Sequence, residues 1–258
     1  MKNVTALKSY GQHFLTDTNV LNDIIQLILS QNNGLEIIEV GPGTGALTKL
    51  LLDKKASLTC IELDKRCVEY LYQHFDGTKL HIIEQDVLQT DFNLLIENEA
   101  MLVGNFPYNI SSQIVFKVLD YKEKIPVCIG MFQKEMALRL AAAPGKKDYG
   151  ITSILTQLFY DVKVEFDIAP QSFSPPPKVM SSVLTMKRKE NVQIDFNFKL
   201  FKTIVKAGFN QRRKMLRSAL KGVVNPEILK EEYFDKRAEQ LSISDYIALT
   251  KRIEKENA

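Results

Sequence analysis

An amide, a proline and a tyrosine lie close together in Asn105-Phe106-Pro107-Tyr108, directly after the apolar run Met101-Leu102-Val103. The run predicts a buried strand, and open α/β sheets bind their ligands at the carboxyl ends of strands. A tyrosine ring can stack on a flat base while carbonyl oxygens accept hydrogen bonds from its exocyclic amine. The stretch therefore predicts a nucleobase site, although Asn and Pro are also common in ordinary turns.

A glycine-rich turn, Gly41-Pro42-Gly43-Thr44-Gly45, follows the β-branched run Leu35–Val40 and precedes a helix predicted from about Ala46 to Lys54. This order is typical of nucleotide-binding sites, where glycines let backbone N–H groups approach the ligand closely. The spacing is not that of the dinucleotide fingerprint, and no Lys-Ser or Lys-Thr pair follows as in a P-loop. Taken alone, the turn is weak support for a nucleotide site.

Two acidic residues follow the next two predicted strands, Glu62 after Ser57–Ile61 and Asp86 after Leu80–Ile83. A carboxylate at the position of Glu62 can accept both ribose hydroxyls, and Asp86 can accept a hydrogen bond from an adenine amine. Either acid alone could be a helix cap or a loop residue. Combined with the glycine-rich turn and Asn105, they predict a pocket for an adenosine-containing cofactor without phosphates, and S-adenosylmethionine fits.

The elements that would position these residues form an α/β fold, with about seven strands and helices between the early ones. After the last predicted strand, Val179–Met186, and Lys187-Arg188-Lys189, only helical patterns follow. We therefore predict a Rossmann-like sheet domain over 1–187 and a smaller all-α domain over 188–258. Before the last strand, the proline-rich segment Gln171–Lys178 predicts a rigid extended connector, and its neighbourhood alone favours a core position for Phe173.

Composition excludes several classes of protein. Of the 258 residues, 45% are hydrophobic and 25% are charged, which is ordinary for a globular protein. Cys60, Cys67 and Cys128 lie in or beside apolar segments and indicate reduced core thiols of a cytoplasmic protein. There is no His and Cys cluster at metal-ligand spacing, no basic-then-apolar leader and no apolar run of membrane length, so we expect neither metal nor membrane.

Positive charge is concentrated at the end of the chain. Residues 187–258 carry 17 Lys and Arg against 10 Asp and Glu, whereas residues 1–186 carry 17 against 21. The densest cluster comprises Arg212, Arg213, Lys214 and Arg217, and helical spacing would put Arg213 and Arg217 on one face. Such a face suits phosphate binding. Alternatively, part of the cluster pairs with nearby acids between Glu227 and Asp235 and holds the small domain together.

Together these motifs resemble the adenine dimethyltransferases of small-subunit ribosomal RNA, which are relatives of the erythromycin-resistance methyltransferases. The resemblance covers essentially the whole chain. Phe209-Asn210-Gln211-Arg212-Arg213-Lys214 is similar to the small-subunit branch in particular. It further rests on Gly11-Gln12-His13-Phe14-Leu15, Glu39 to Gly45, Ile61 to Asp64, Gln85-Asp86, Gly104 to Ser111 and Phe173 to Val183.

The resemblance implies that S-adenosylmethionine is held by His13, Leu15, Gly41, Gly43, Glu62, Asp86 and Asn105. Asn105 and Pro107 would accept hydrogen bonds from the target adenine amine. Tyr108 and Phe173 would stack on the extruded base. The RNA would be bound by Arg212, Arg213, Lys214 and Arg217. The substrate would be two adjacent adenosines near the 3′ end of 16S ribosomal RNA, each dimethylated at N6 in a pre-30S particle by a monomeric enzyme. His13 and Phe106 depart from the Asn and Leu usual in the family.

Two other functions stay open at this point. A methyltransferase of the erythromycin-resistance type would act on 23S ribosomal RNA, and the Phe209–Lys214 stretch disfavours it. A non-catalytic assembly factor would share the fold and bind RNA without transferring methyl groups. Loss of the glycines, of Glu62 or of Asn105 would favour that factor, and all of them are present.

Overall fold

The computed structural model describes residues 4–7, 10–54 and 57–257. The described strands are β1 (Phe14–Leu15), β2 (Glu36–Val40), β3 (Leu58–Glu62), β4 (Leu80–Glu84), β5 (Ala100–Asn105), β6 (Val127–Gln133), β7 (Tyr160–Ile168), β8 (Phe173–Ser174) and β9 (Ser181–Arg188). Seven of them form one sheet in the order β4-β3-β2-β5-β6-β9-β7. The predicted α/β fold with a sheet of about seven strands is confirmed.

The described α-helices are α1 (Thr18–Gln31), α2 (Ala46–Leu52), α3 (Lys65–His74), α4 (Phe92–Leu95), α5 (Ser111–Asp120), α6 (Lys134–Ala141), α7 (Ile151–Phe159), α8 (Phe198–Asn210), α9 (Leu216–Ala219) and α10 (Ile243–Asn257). Asp17 caps α1 by accepting the backbone N–H groups of Asn19 and Val20. Asp64 caps α3 in the same way through the N–H of Arg66. Both caps satisfy donors that a helix start leaves without partners.

The chain divides into two compact units. Met1–Ala137 and Asp161–Arg188 form the sheet unit, and Leu138–Tyr160 and Lys189–Ala258 form the helical unit. Residues 138–160 therefore pack with the helical unit although they precede the predicted boundary at 187/188. That boundary stays a prediction.

Parallel pairing explains why the strand ends of the sheet unit meet. β2 pairs in parallel with β3 and with β5, and β3 pairs in parallel with β4. Their carboxyl ends therefore lie along one edge of the sheet. Nearly every residue of β2 and β5 is buried, as expected for parallel strands covered on both faces. On the far side β9 pairs antiparallel to β6, and β7 forms the edge beyond it.

The helical unit has its own aromatic core. Phe201 lies on α8 and contacts Tyr246 of α10 edge to face, at 6.4 Å between ring centroids. Tyr246 is fully buried, and its hydroxyl donates to the carbonyl of Ala238 at 2.9 Å. The apolar spacing of Ile228–Phe234 predicts one helix, but the structure has two 3₁₀ turns there, Ile228–Lys230 and Glu232–Asp235, so this prediction is wrong. The extended backbone of Glu231 separates them, since its ψ is 149°.

Candidate active site

A cleft of about 880 Å³, partly continuous with solvent, opens at the carboxyl edge of the sheet. The carboxyl ends of β2, β3, β4 and β5 all line it. The segment Tyr10–Phe14, near the amino terminus of the chain, also lines it and covers it. Eight of the predicted site residues line this cleft: His13, Gly41, Gly43, Glu62, Asp86, Asn105, Pro107 and Tyr108. Residues widely separated in sequence are thus gathered around one cleft.

Glu62 is held in place by the backbone around it. Its carboxylate accepts the N–H of Gly43 at 3.0 Å and the N–H of Asp64 at 2.8 Å, one on each oxygen. Gly43 has φ +58°, and a Cβ on it would come within 2.7 Å of the Phe14 ring. Burial raises the pKa of Glu62, while its backbone hydrogen bonds oppose that rise. Each oxygen still has a lone pair for a further donor, such as a ribose hydroxyl.

Asp86 and Gly41 occupy the neighbouring strand ends. One oxygen of Asp86 accepts the N–H of Leu88 at 2.8 Å, which leaves the other as an acceptor at the wall of the cleft. Gly41 has φ +67°, a left-handed conformation that glycine adopts without strain. The side chains and backbone at these positions therefore match the acceptors and close backbone approach that an adenosine moiety needs.

The side-chain amide of Asn105, a residue of the cleft wall, is oriented by a backbone carbonyl. Its Nδ2 donates to the backbone carbonyl of His13 at 2.7 Å. A carbonyl oxygen accepts but cannot donate, so the nitrogen must face His13 and the oxygen is left as an acceptor. The carbonyl of Pro107 accepts the N–H of Ile110 at 3.1 Å and keeps a second lone pair. Two acceptors thus lie two residues apart at the end of β5, as the sequence predicts.

Tyr108 is held from two sides. Its hydroxyl hydrogen-bonds to Ser181 at the start of β9, and its ring stacks on the His13 imidazole at 5.5 Å between centroids and 27° between planes. His13 Nδ1 lies 2.7 Å from the carbonyl oxygen of Pro175. His13, which stands where the family usually has Asn, thus contacts both the Tyr108 ring and the proline-rich segment.

Phe106 fills the space beneath this site. The ring is 1% exposed and contacts Phe132 edge to face, at 5.3 Å between centroids. It lies directly over the backbone of Gly130 in the adjacent strand β6, where a Cβ would come within 2.2 Å of a ring carbon. A residue bulkier than the usual Leu is therefore accommodated because position 130 has no side chain.

Leu15 and Phe173 do not line the cleft. Both are buried in the hydrophobic core of the sheet unit, at 5% and 3% exposure. β1 and β8 pair antiparallel, which places Leu15 directly opposite Phe173. In this structure the Phe173 ring packs in the core, and only its neighbours in the chain reach the cleft residues.

Gln12 is a site residue that the sequence analysis did not single out. Its Nε2 donates to Asp64 Oδ2 at 3.0 Å, and Asp64 is further bound by the Arg66 guanidinium, whose Nη1 donates to the carbonyl of Thr5 at 3.2 Å. These bonds attach the segment that covers the cleft to the start of α3. The Gly11-Gln12-His13-Phe14-Leu15 motif was visible in the sequence, but its partner 52 residues away was not.

Glu39 is a second residue that was missed. It is fully buried at the middle of the sheet, and its carboxyl accepts from Thr48 Oγ1 at 2.7 Å and from Cys60 Sγ at 3.6 Å. Burial, with a smaller contribution from the charge of Glu62, raises the pKa of Glu39 to about 7. With a pKa of about 7, this group passes between its two protonation states near neutral pH.

We expect Glu39→Gln to make the protein more stable at pH 8 and to leave it nearly unchanged at pH 5. Between the ordinary value of 4.5 and the folded value of about 7, the folded protein holds a proton that the unfolded chain releases. The free energy of unfolding of the native chain therefore falls as pH rises through this window, by at most roughly 3 kcal/mol. Urea unfolding at both pH values measures the difference, and parallel pH profiles for the two proteins would refute it.

The basic cluster of the helical unit is not a helical face. α8 ends at Asn210, residues 211–214 form a turn, and Met215 is extended and bridges to Arg237 before α9 begins at Leu216. The prediction that Arg213 and Arg217 share a helical face is therefore wrong. The extended conformation of Met215 interrupts the helical spacing between them.

The four basic residues differ in their contacts. Arg217 forms an ion pair with Asp235, and Arg212 donates to the carbonyl of Lys146 at 3.1 Å and lies 3.9 Å from Glu239. Arg213 and Lys214 are exposed and form no ion pair with any residue in the part of the chain that the structure describes. The structural alternative considered above thus fits Arg217, whereas Arg213 and Lys214 are available to a partner.

Within 4–7, 10–54 and 57–257, no group of three or more His, Cys, Asp and Glu side chains could hold a metal ion. In the same part of the chain, no helix is both long and apolar enough to cross a membrane.

Comparison with known proteins shows the family of this chain. The family model described as "Ribosomal RNA adenine dimethylase" matches residues 3–255. A curated protein of Parabacteroides distasonis named "Ribosomal RNA small subunit methyltransferase A" is 47% identical, covering 97% of this chain and 94% of its own. Its namesake in Flavobacterium johnsoniae is 46% identical, over 98% of both chains.

Solved structures show the same fold. The crystal structure of a dimethyladenosine transferase from Plasmodium falciparum matches with a TM-score of 0.80 and 26% identity, covering 95% of this chain and 98% of its own. The 23S rRNA methyltransferase ErmE matches with a TM-score of 0.70 over 93% of this chain and 99% of its own, at 21% identity, which supports the fold alone.

Proposed function

The chain belongs to the ribosomal RNA adenine dimethylase family, and from that premise we propose that it dimethylates N6 of two adjacent adenosines near the 3′ end of 16S ribosomal RNA. The methyl donor is S-adenosylmethionine, and the substrate is a pre-30S particle in the cytoplasm, on which the enzyme acts as a monomer. The names of the curated relatives favour the small subunit over the 23S target of a resistance enzyme.

The residues of the cleft fit this cofactor. Glu62 keeps lone pairs for the ribose hydroxyls, Asp86 keeps a free oxygen for the adenine amine, and Gly41 lets the backbone approach closely. When bound, S-adenosylmethionine supplies a sulfonium methyl group that a nitrogen lone pair can take by in-line displacement. His13, Gly43 and Asn105 complete the set of side chains and backbone groups that we assign to holding it, with Leu15 supporting them from the core.

The observation that supports catalysis most is the orientation of Asn105. An adenine amine is a weak nucleophile because its lone pair is delocalised into the ring. If Asn105 Oδ1 and the Pro107 carbonyl each accept one of its hydrogens, the nitrogen can become pyramidal and direct its lone pair at the methyl group. The proton released on transfer leaves to solvent, and positioning with electrostatic stabilisation supplies the acceleration.

Tyr108 is the residue that we assign to stacking on the extruded base. One side of its ring faces His13, and the bond to Ser181 fixes its plane. Phe173 was predicted to share this role. Since its ring is in the core, it would have to leave that packing to contact a base, so we propose that Tyr108 carries the stacking and Phe173 supports the wall behind it.

Methyl mapping tests the proposed function. The purified protein is incubated with labelled S-adenosylmethionine and small-subunit particles from a strain that lacks this activity. We expect label in 16S ribosomal RNA only, on two adjacent adenosines, with two methyl groups each. Label in 23S ribosomal RNA would favour a resistance-type enzyme, and binding without any label would favour a non-catalytic assembly factor.

A further prediction concerns the exposed pair Arg213 and Lys214. Replacing each with alanine should weaken RNA binding. The slope of the logarithm of the binding constant against the logarithm of the salt concentration should become shallower by about 0.7–0.9 per lost phosphate contact. The melting temperature and the S-adenosylmethionine affinity should not change, because neither side chain is paired in the helical unit. Filter binding across a salt series measures the slope.

Arg217→Ala is the matched control for this pair. It removes the ion pair with Asp235, so it should lower the melting temperature more than the other two substitutions do. If Arg213→Ala and Lys214→Ala left the salt slope unchanged, the phosphate-binding role of the cluster would be wrong.

A further inference from the structure

A five-residue loop, Pro176 to Met180, runs beside the cleft between two anchored ends. At one end the carbonyl of Pro175 lies 2.7 Å from His13 Nδ1. At the other end Ser181 hydrogen-bonds to the Tyr108 hydroxyl, and the carbonyl of Met180 accepts the N–H of Lys134 at 2.9 Å. Both anchors therefore join the loop to the two rings that we assign to the base site.

The anchors limit how far the loop can extend from that site. The residue in its centre is three positions from either anchor, and three extended residues span about 10 Å. Val179 and Met180 are two positions and one position from Ser181, so their backbones lie within about 7 Å and 4 Å of it. Among the loop residues, Val179 and Met180 therefore lie nearest to the anchor at Ser181, and through it to the Tyr108 hydroxyl.

The side chains of this loop are unusual for an exposed segment. Val179 is 45% exposed and Met180 37% exposed, and Lys178 beside them is also exposed. Adjacent exposed apolar side chains often mark a binding surface, whereas scattered ones need no explanation. The prolines at positions 175, 176 and 177 fix their φ angles, which reduces the entropy that the loop would lose on binding.

We propose that Val179 and Met180 form an apolar platform for the base of the nucleotide next to the target adenine, and that Lys178 contacts the phosphate between them. This inference rests on the proposed function, because it needs an RNA base at Tyr108. It extends that function in one respect. When one of two adjacent target adenosines is in the site, the other lies beside it, either with or without methyl groups on its amine. An apolar surface accepts the flat face of that second base in both cases.

The test combines a protein variant with an RNA variant. The double substitution Val179→Ser and Met180→Ser is assayed on reconstituted small-subunit particles whose RNA either is intact or carries an abasic ribose next to one target adenosine. On intact RNA the double variant should lose about five- to tenfold in kcat/KM, the lower end of what stacking on an aromatic ring contributes, because these side chains are aliphatic. On abasic RNA the native chain should show a similar loss, and the double variant should lose nothing further, because the same contact is removed twice.

Matched controls separate this contact from general damage. Leu94→Ser removes an apolar side chain that is 88% exposed elsewhere on the sheet unit and should leave kcat/KM unchanged. Val179→Ile with Met180→Leu keeps the apolar surface and should keep the native rate. The melting temperature and the S-adenosylmethionine affinity of all variants should match the native chain.

Two results would overturn the platform. The first is an unchanged kcat/KM for the serine double variant on intact RNA. The second is a lower kcat/KM for the double variant than for the native chain when both are assayed on abasic RNA. Failure of the proposed function is distinguishable from both, since the native chain would then not methylate intact small-subunit RNA at all.

Discussion

Replacing Asn105 by alanine should lower the rate of methyl transfer by about two to three orders of magnitude, the loss typical of one oriented polar group at a reacting centre. The alanine variant lacks the oxygen that accepts a hydrogen of the target amine. It also lacks the Nδ2 donor that bonds to His13. Single-turnover assays with saturating particle and cofactor isolate the transfer step and measure this loss directly.

RNA affinity is the control for this expectation. The basic residues of the helical unit are untouched, so Asn105→Ala should bind particles within about twofold of the native chain. Asn105→Asp should also be slow, because a carboxylate oxygen would face the carbonyl oxygen of His13 and neither can donate a hydrogen bond. An aspartate variant with native rate would show that the orientation of the amide is not needed.

The second large effect is expected at Glu62. Glu62→Ala removes the acceptor that we assign to the ribose hydroxyls, and hydrogen bonds to a charged group contribute roughly 1.5–3 kcal/mol. S-adenosylmethionine affinity should therefore fall by about ten- to a hundredfold, which titration calorimetry measures. Glu62→Gln keeps one acceptor oxygen but turns an NH2 group toward one of the two backbone N–H donors, so it should also bind the cofactor more weakly than the native chain.

The pH dependence of binding adds an independent check on Glu62. Burial raises its pKa, so the carboxylate becomes protonated at a higher pH than an exposed glutamate does. Cofactor affinity should therefore weaken as pH falls, beginning above the ordinary glutamate pKa of 4.5. Glu62→Gln should show no such decline. Equal pH profiles for the two proteins would contradict the assignment of Glu62 as the charged acceptor.

The strand ends were predictable because their signal is local. β2 and β5 are short apolar runs followed by residues of special chemistry, and parallel pairing brings such ends to one edge of a sheet whatever the details of packing. Gly41, Glu62, Asp86 and Asn105 therefore needed no tertiary information to be grouped. The same reasoning located the acceptors in Asn105 and Pro107, since their chemistry depends on residue type and backbone.

Side-chain direction was not predictable in the same way. Leu15 and Phe173 lie opposite each other because two strands of two residues pair across more than 150 positions of sequence, and nothing local indicates that pairing. Arg213 and Arg217 have the spacing of a helical face, yet Met215 between them is extended because it bridges to Arg237. In both cases a long-range contact overrides the local pattern.

The Phe106 ring and the bare backbone of Gly130 constrain how this protein can change over generations of mutation. A methyl group at position 130 would come within 2.2 Å of the ring, so it is compatible with the present strand spacing only if position 106 becomes smaller first. The order of substitutions is thus fixed. A lineage that starts from Phe106 must pass through a shorter residue there, with a temporary void beneath the catalytic turn, before position 130 can acquire any side chain.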